Sequence, residues 1–207
     1  GGDELASNVW LTKYVLKDQS GKVLEETPDD MHHRIASEFA RIEAKFGGKS
    51  ALSEEQIFDL IKNFEYIVPQ GSPMMGIGNN HVNVSLSNCV VVASPDDNIS
   101  SILDSGKSLA NLFKRRCGVG LDLSELRPEG TPVNNSAGTT TGAWSFADLY
   151  SYVCRMIGQN GRRGALMISM DIRHPDIEKF VTMKHDLTKV TGANVSVKIS
   201  DDFMEAV

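Results

Sequence analysis

The second half of the chain alternates short apolar runs with longer amphipathic stretches, and this alternation restricts its fold more than any other feature. The valine triplet at 90–92 predicts a buried strand, because β-branched residues favour strands. Strands are predicted at about 89–93, 117–126, 165–172 and 195–200. Helices are predicted at about 98–115 and 145–158, with a shorter one from 175 to about 184. The predicted apolar stripe of the first helix consists of Ile99, Ile102, Leu109, Leu112 and Phe113, and that of the second of Phe146, Leu149, Tyr150, Val153 and Ile157. This order of strands and helices indicates an α/β layer or barrel. Since so few strands cannot close a barrel, we expect the front part of a larger chain.

The first part of the chain, residues 1–69, is predicted to be a small helical region. TPDD (27–30) combines an N-cap, a proline at the first helical position and a capping-box acid, and SEEQ (53–56) repeats the capping box. Apolar residues then recur at helical spacing, namely Met31, Ile35, Phe39, Ile42 and Phe46, followed by Ile57, Leu60, Ile61 and Phe64. The Gly- and Pro-rich PQGSPMMGIGNN (69–80) predicts a loop, with which a second domain, 70–207, begins.

Composition argues against several classes of partner. The net charge of −6 at pH 7 is unlike that of a general nucleic-acid or membrane-surface binder. No apolar run approaches the ~18 residues that a membrane span needs. The three cysteines lack metal-site spacing, and their sparse use is typical of the reducing cytoplasm. We therefore predict a cytoplasmic protein with no metal site and with neither DNA nor membrane as partner. The basic spots at 114–116 and 162–163 are interpreted as a helix end and a turn.

Several residues have two interpretations from the sequence alone. Cys89 heads a predicted strand beside a loop, so its thiol either packs as a small buried group or stays accessible for chemistry. Asp97 is a predicted N-cap, and SFAD (145–148) is predicted to open the next helix. The polar loops at 127–142 and 185–194 are candidates for a functional role, since loops of such length in compact domains are often functional.

Seven segments, all in the same order, resemble the large, catalytic subunit of ribonucleotide reductases. They are SPMMGIG (72–78), SNCVVV (87–92), DNISSIL (97–103), GVGLDLSELRPEGTPV (118–133), TTGAWSFADLY (140–150), GQNGRRGALMISMDIRHPDIEKFV (158–181) and NVSVKISDDFMEAV (194–207). The similarity runs from about residue 8 to the end. It implies an α/β fold in which a small N-terminal helical region precedes the first part of a ten-stranded α/β barrel of the ribonucleotide reductase type.

The resemblance also implies a chemistry. The family reduces ribonucleotides to deoxyribonucleotides with a thiyl radical and a pair of cysteines that become a disulfide. Cys89 matches the first cysteine of that pair. The second cysteine and the radical-bearing cysteine of the family lie beyond this sequence. The chain by itself is therefore not expected to reduce ribonucleotides. Ser72 matches a hydroxyl residue that contacts substrate, and Asn88 stands where some members have Ser. Cys117 and Cys154 match no redox position and are expected to be structural.

An allosteric site is implied in the same way. Asp97 matches an acid that recognises the ribose hydroxyl of a nucleoside triphosphate effector, a dNTP or ATP. Arg127 matches a phosphate-contacting position at the start of the first loop, although Asn134 stands where some members have a second Arg. The loop 185–194 matches the loop that sets base choice, and Lys189 is its candidate contact residue.

Partners and cofactors follow from the same resemblance. The helices at 98–115 and 145–158 are expected to pair with those of a second copy in a homodimer. The radical generator is either adenosylcobalamin or a metal-containing partner subunit, and a thioredoxin-type reductant restores the thiols. The substrate is a ribonucleotide, as diphosphate or triphosphate. Two alternatives stay open: a stand-alone nucleotide-binding regulatory module, and one half of a split reductase.

Overall fold

The computed structural model describes residues 3–48, 51–157, 164–186 and 188–207. The chain divides into two compact units, of which the first ends at Asn88 and the second begins at Cys89. From the sequence, the change from helical to α/β character is expected earlier, at residue 69. The basic pair at 162–163 lies outside the described residues.

The first unit is helical in its described part. Its elements are α1 (Glu4–Lys13), α2 (Pro28–Phe46), α3 (Glu54–Ile61), a 3-10 turn (Lys62–Phe64) and α4 (Gly71–Gly76). Both predicted capping boxes are confirmed, because the side chains of Thr27 and Asp30, and those of Ser53 and Gln56, exchange hydrogen bonds with each other's backbone N–H groups. These bonds satisfy donors that have no partner inside the helix.

The core of the first unit lies between α2 and α3. It consists of Met31, Ile35, Ala36, Ile57 and Ile61. The later members of the predicted α2 stripe stay exposed, namely Phe39, Ile42 and Phe46. The reason is length, since the eight residues of α3 are too few to cover the nineteen residues of α2.

The prediction of a loop at 69–80 is wrong, because helix α4 occupies the middle of this segment. Pro73 lies in the first turn of α4, where a residue without an N–H group is tolerated. Side chains from distant parts of the sequence hold both ends of this helix. Gly- and Pro-rich composition could not reveal a helix whose support is not local.

The second unit contains a four-stranded parallel sheet in the order β1-β2-β3-β4. Its strands are β1 (Cys89–Val91), β2 (Gly118–Asp122), β3 (Leu166–Asp171) and β4 (Asn194–Lys198). Its helices are α5 (Ile99–Phe113), α6 (Ala143–Met156), α7 (Ile177–Thr182), which runs into a 3-10 turn (Met183–His185), and α8 (Asp201–Ala206). A helix connects each pair of consecutive strands, as parallel pairing requires. The predicted α/β alternation is confirmed.

One apolar core joins the sheet to its helices. Its largest fully buried members include Leu109, Phe113, Tyr150, Ile168, Met170 and Phe180. Val90 and Val91 lie in the predicted strand, but the predicted burial is wrong for Val91, which is 87% exposed, whereas Val90 and Val92 are partly buried against the core. Within the described residues β1 pairs only with β2, so its other edge has no neighbouring strand.

Two predicted helix starts differ from the structure. Asn98 caps α5 by accepting a hydrogen bond from the first turn, so Asp97 is not the N-cap. Helix α6 begins at Ala143, two residues before the predicted Ser145, whose hydroxyl instead donates to the carbonyl of Gly142. Gly142 has φ 90°, a conformation that favours glycine. None of the helices in the described ranges is long and apolar enough to cross a membrane.

Candidate functional site

The two residues predicted to contact substrate beside the thiol, Ser72 and Asn88, lie against each other. Ser72 is the second residue of α4, and its N–H donates to Asn88 Oδ1 at 2.6 Å. Gln70, the residue at the N-cap position of α4, makes no side-chain cap. Asn88 therefore supplies the acceptor that an N-cap residue normally provides. The structure thus brings the predicted pair together, and it gives Asn88 a structural role that the sequence did not reveal.

A buried ion pair that was not predicted from the sequence holds the other end of α4. Arg34 Nε donates to Glu25 Oε1 at 2.6 Å, and the two side chains are 9% and 5% exposed. The guanidinium also donates to the carbonyl of Met74 at 2.8 Å and to that of Ile77. These carbonyls lie at the helix end, where intrahelical partners are lacking. Arg34 thereby fixes the helix that carries Ser72. The only local indication of this role in the sequence is that Arg34 is a charged residue beside the apolar stripe of α2.

Cys89 is the first residue of β1 and its side chain is exposed, whereas Cys117 and Cys154 are buried. Burial raises the pKa of the Cys154 thiol, with a partial opposing effect from Arg155. The Cys117 thiol donates to a neighbouring backbone carbonyl at 3.4 Å. Because thiol reactivity needs access, Cys89 is the one cysteine of the three whose exposure permits it. The other two are buried, as expected of structural cysteines.

In the second unit the structure brings Asp97 and Arg127 together. Arg127 Nε donates to Asp97 Oδ2 at 2.6 Å, and the backbone N–H of Arg127 donates to Oδ1 at 3.2 Å. One terminal nitrogen also donates to the carbonyl of Asp97 at 3.2 Å. The two side chains are about a third exposed, at 36% and 35%. A guanidinium has five N–H donors, so a paired Arg127 retains donors for an anion.

The loop 127–142 is a short hairpin. Its arms are joined by backbone hydrogen bonds from Gly130 to Thr140 at 3.0 Å, from Thr140 to Thr131 at 3.0 Å, and from Val133 to Gly138 at 2.9 Å. Asn134 lies exposed in the turn. The hairpin begins at Arg127, so the Asp97–Arg127 pair stands at its base.

Asp176 closes the other side of that base. Its buried carboxylate accepts hydrogen bonds from the backbone N–H of Glu129 at 3.1 Å and of Ala143 at 3.2 Å. His174 Nδ1 accepts from the N–H of Asp176 at 3.0 Å, and Nε2 donates to the carbonyl of Leu126 at 2.7 Å. This assigns the neutral tautomer with its hydrogen on Nε2. In the sequence these two residues belong to the tripeptide HPD (174–176), for which no role was predicted.

The loop 185–194 lies against α6. Lys189 Nζ is 3.7 Å from Asp186 Oδ2 and 5.2 Å from the ring centroid of Trp144. Hydrogen bonds from Thr188 are the main reason why the pKa of Asp186 lies below its ordinary value. No described hydrogen bond or ion pair joins Lys189 to the Asp97–Arg127 pair. In the described ranges, no group of three His, Cys, Asp or Glu residues is arranged to hold a metal ion.

The fold and these sites define a class: a parallel-sheet α/β protein with an accessible thiol at the head of one strand and an acid–arginine pair at the base of a hairpin loop. Two family models match the chain. The ribonucleotide reductase all-alpha domain matches residues 2–81, and the ribonucleotide reductase barrel domain matches residues 87–207. The chain therefore belongs to the large-subunit family of ribonucleotide reductases, and its four parallel strands are the start of the barrel domain.

Relatives agree with this assignment. The chain is 31% identical, over 98% of its length and 29% of the relative's, to the vitamin B12-dependent ribonucleoside-diphosphate reductase of Mycobacterium tuberculosis (strain CDC 1551 / Oshkosh). It is 27% identical, over 97% of its length and 33% of the relative's, to the protein of the same name from Thermoplasma acidophilum. Ribonucleoside-diphosphate reductase subunit alpha of Helicobacter pylori (strain J99) is 29% identical over 87% of this chain and 21% of that protein. The chain spans about a third or less of these relatives.

Proposed function

We propose that this chain is part of the catalytic subunit of a ribonucleotide reductase, and that the complete enzyme reduces ribonucleotides to deoxyribonucleotides. The observation that carries the proposal is the accessible thiol of Cys89 at the head of β1, in a chain whose other two cysteines are buried. The family assignment supplies the reaction. Because the named relatives are diphosphate reductases, ribonucleoside diphosphates are the proposed substrates.

In the proposed reaction Cys89 works with a second cysteine of the complete enzyme. The two thiols are oxidised to a disulfide while the ribonucleotide loses its 2′-hydroxyl as water, so that two electrons and two protons are accounted for. A thiyl radical on a third cysteine starts the reaction, and a thioredoxin-type reductant restores the two thiols by exchange. Ser72 and Asn88 are the proposed substrate contacts, and Arg34 and Asn88 hold α4 in place for this role.

The proposed radical generator is adenosylcobalamin, since the relatives from Mycobacterium tuberculosis and Thermoplasma acidophilum are named as vitamin B12-dependent. When bound, this group supplies the radical that oxidises the third cysteine. The described residues offer no site that fits it, and we assign none of them to it.

The proposed effector site is built on the pair of Asp97 and Arg127. Asp97 would accept hydrogen bonds from the ribose, and the remaining donors of Arg127 would bind the triphosphate of a dNTP or ATP. Lys189, in the loop 185–194, would respond to the bound effector. Such an arrangement is allosteric because effector binding changes which substrate base is accepted at another site.

A homodimer is proposed through α5 and α6. Most of the predicted α5 stripe is used in the core of the second unit, including Ile102, Leu109 and Phe113. The large apolar side chains that remain exposed on the two helices are Ile99, Leu103, Tyr152 and Met156. These, rather than the core residues, are the surface proposed to pair with a second copy. The enzyme is proposed to act in the cytoplasm, where its sparse free cysteines stay reduced.

The test is reduction of cytidine diphosphate by the full-length reductase, with adenosylcobalamin and dithiothreitol, followed as deoxycytidine diphosphate. Cys89→Ser is expected to lower the rate of multiple turnover at least about a hundredfold, because one sulfur cannot form the disulfide. Cys154→Ala is the matched control and should stay within about threefold of the wild type, since this thiol is buried in the core. Equal turnover by Cys89→Ser and the wild type would contradict the proposal.

The Asp97–Arg127 pair favours one second candidate, a nucleotide-binding regulatory module without catalysis. The same assay separates the two functions. Binding of a deoxynucleoside triphosphate by a full-length wild-type protein that forms no deoxynucleotide would favour the module.

A further inference from the structure

One face of α6 contacts four consecutive residues of the loop 185–194. The α6 residues are Trp144, Asp148, Ser151 and Arg155, spaced by four, three and four positions, which places them in one row along the helix. The contacts join Lys189 to Trp144, Val190 to Asp148, Thr191 to Arg155 and Gly192 to Ser151. We call this row of contacts the α6 latch.

Two contacts of the α6 latch bind the loop backbone itself. The N–H of Val190 donates to Asp148 Oδ1 at 3.0 Å, and the N–H of Gly192 donates to Ser151 Oγ at 2.8 Å. Val190 and Ser151 are fully buried. A buried N–H group without an acceptor is unfavourable, so these two side chains determine where residues 190–192 can lie.

The loop conformation held by the α6 latch is a strained one. Val190 has φ 45°, which a β-branched side chain rarely adopts. Such a conformation persists only where the surroundings impose it. Lys184 contributes from the other side, because its Nζ donates to the carbonyls of Val190 at 2.7 Å and Ala193 at 2.5 Å.

The loop also lies directly on the backbone of α6. A Cβ atom on Gly192 would be 2.5 Å from the carbonyl oxygen of Ser151 and 2.7 Å from Cγ of Arg155. A backbone carbonyl inside a helix cannot move aside for a methyl group. The loop can therefore be displaced from either side of the contact, by removing the acceptor on α6 or by enlarging Gly192.

We propose that Asp148 and Ser151 are positioning residues that hold residues 189–192 in the conformation used for base selection, so that α6 determines substrate choice through this loop. The inference rests on the proposed function, since it assigns a means of regulation to the same enzyme. A displacement of α6, by a bound effector or by a second copy, is passed to the loop because its amides are bonded to side chains of that helix.

Hydrogen exchange of the full-length reductase tests the α6 latch without any assay of activity. Asp148→Ala should speed exchange of the Val190 amide at least about tenfold, the effect of losing a hydrogen bond to a charged acceptor. Asp148→Asn keeps an acceptor oxygen and should stay within about threefold of the wild type. Asp104→Ala, an exposed acid on α5, is the matched control and should leave this amide unchanged.

Gly192→Ala attacks the α6 latch from the loop side and should likewise speed exchange in residues 188–193. Its control is Gly106→Ala in α5, where an added Cβ meets only ordinary contacts, 3.7 Å from Tyr150. Thermal unfolding of each variant shows whether the fold is kept. Exchange at the wild-type rate in Asp148→Ala and Gly192→Ala would overturn the α6 latch.

The second readout is substrate choice, measured as the ratio of kcat/KM for two nucleoside diphosphates with and without one effector. Asp148→Ala and Gly192→Ala should reduce the effect of the effector on this ratio at least about fivefold, and Asp148→Asn should restore it. Faster exchange with an unchanged ratio would overturn the positioning role. A wild type that reduces no ribonucleotide would instead defeat the proposed function, while the exchange data would still decide whether the α6 latch exists.

Discussion

At the scale of single residues, Asp176 joins the two ends of the hairpin loop at the candidate effector site. Its carboxylate accepts from the N–H groups of Glu129 and Ala143, which lie at the two ends of the hairpin loop. The charge stands at the N-terminus of α6, where the helix dipole favours an anion. Gly142 fits so closely that a Cβ there would be 2.7 Å from Asp176 Oδ2. One buried carboxylate therefore fixes the base of the loop that begins at Arg127.

Asp176→Ala should lower the free energy of unfolding by about 1–3 kcal/mol, because the buried N–H group of Ala143 and the partly buried one of Glu129 lose their acceptor. The loss is measured by urea denaturation of the full-length protein at neutral pH. Asp104→Ala, which removes an exposed acid from α5, should change the free energy of unfolding by less than about 0.5 kcal/mol. If the two variants lose the same stability, Asp176 does not support the loop as described.

The residue-scale features that could be predicted are those with a local cause. The two capping boxes follow from neighbouring residues, whereas the sequence alone left the exposure of Cys89 open. The prediction of Asp97 as the N-cap was wrong because Asn98, one position later, is also a favoured N-cap residue and caps the helix instead. The bonds from Arg34 to the end of α4 join residues about forty positions apart, and no local pattern contains them.

At the scale of whole elements, α6 shows why its buried face was predicted only in part. The sequence stripe was Phe146, Leu149, Tyr150, Val153 and Ile157, of which only Tyr150 is fully buried. The face that packs into the core is made mainly of small residues, namely Ala143, Ala147, Ser151 and Cys154. Small side chains let α6 approach its neighbours closely, but a search for periodicity gives weight to large ones. The presence of the helix was therefore predictable, and its orientation was not.

Tyr150 ties α6 to α5, and its ionisation gives a test at high pH. Its hydroxyl donates to the carbonyl of Ile102 at 2.8 Å. Burial raises the pKa of Tyr150 to about 12, with a smaller opposing effect of a hydrogen bond with Ser105. In the unfolded chain the pKa of a tyrosine hydroxyl is about 10. The contribution of Tyr150 to stability is therefore complete below pH ~10 and is lost between pH ~10 and ~12.

Tyr150→Phe should therefore unfold more readily than the wild type at pH 8, by about 0.5–1.5 kcal/mol from the lost hydrogen bond. Its stability should then fall less steeply than that of the wild type above pH ~10. Tyr152→Phe, at a side chain that is 57% exposed, is the control and should keep the wild-type slope. The measurement is urea denaturation between pH 8 and pH 11. Parallel curves for Tyr150→Phe and the wild type would contradict the assignment.

At the scale of the whole molecule, the order of strands and helices was enough to predict a parallel α/β sheet, and the family resemblance implied the barrel to which it belongs. The predicted burial was wrong for Val91 because burial depends on what covers a strand, whereas β-propensity depends only on the strand's own residues. In the described residues one edge of β1 has no partner strand. Such an edge can accept a further strand, which is the arrangement that a larger barrel requires.

Effector binding should appear as stabilisation of the whole protein. A ligand that binds only the folded state raises the free energy of unfolding by about 2.7 kcal/mol when its concentration is a hundred times the Kd. A deoxynucleoside triphosphate should therefore raise the unfolding temperature of the wild-type reductase. Arg127→Ala should abolish most of this rise, because it removes the proposed phosphate donors and the partner of Asp97.

The control for this prediction has to separate a specific guanidinium from a general positive charge. Arg173→Ala provides it, because Arg173 is 66% exposed and its nearest acids are 3.6 Å and 3.7 Å away. A rise in unfolding temperature that disappears equally in both variants would mean that charge alone attracts the nucleotide, and the pair of Asp97 and Arg127 would lose its role. Loss in Arg127→Ala alone, with the rise kept in Arg173→Ala, would locate the effector at the base of the hairpin, where Asp97 and Asp176 hold the loop from both sides.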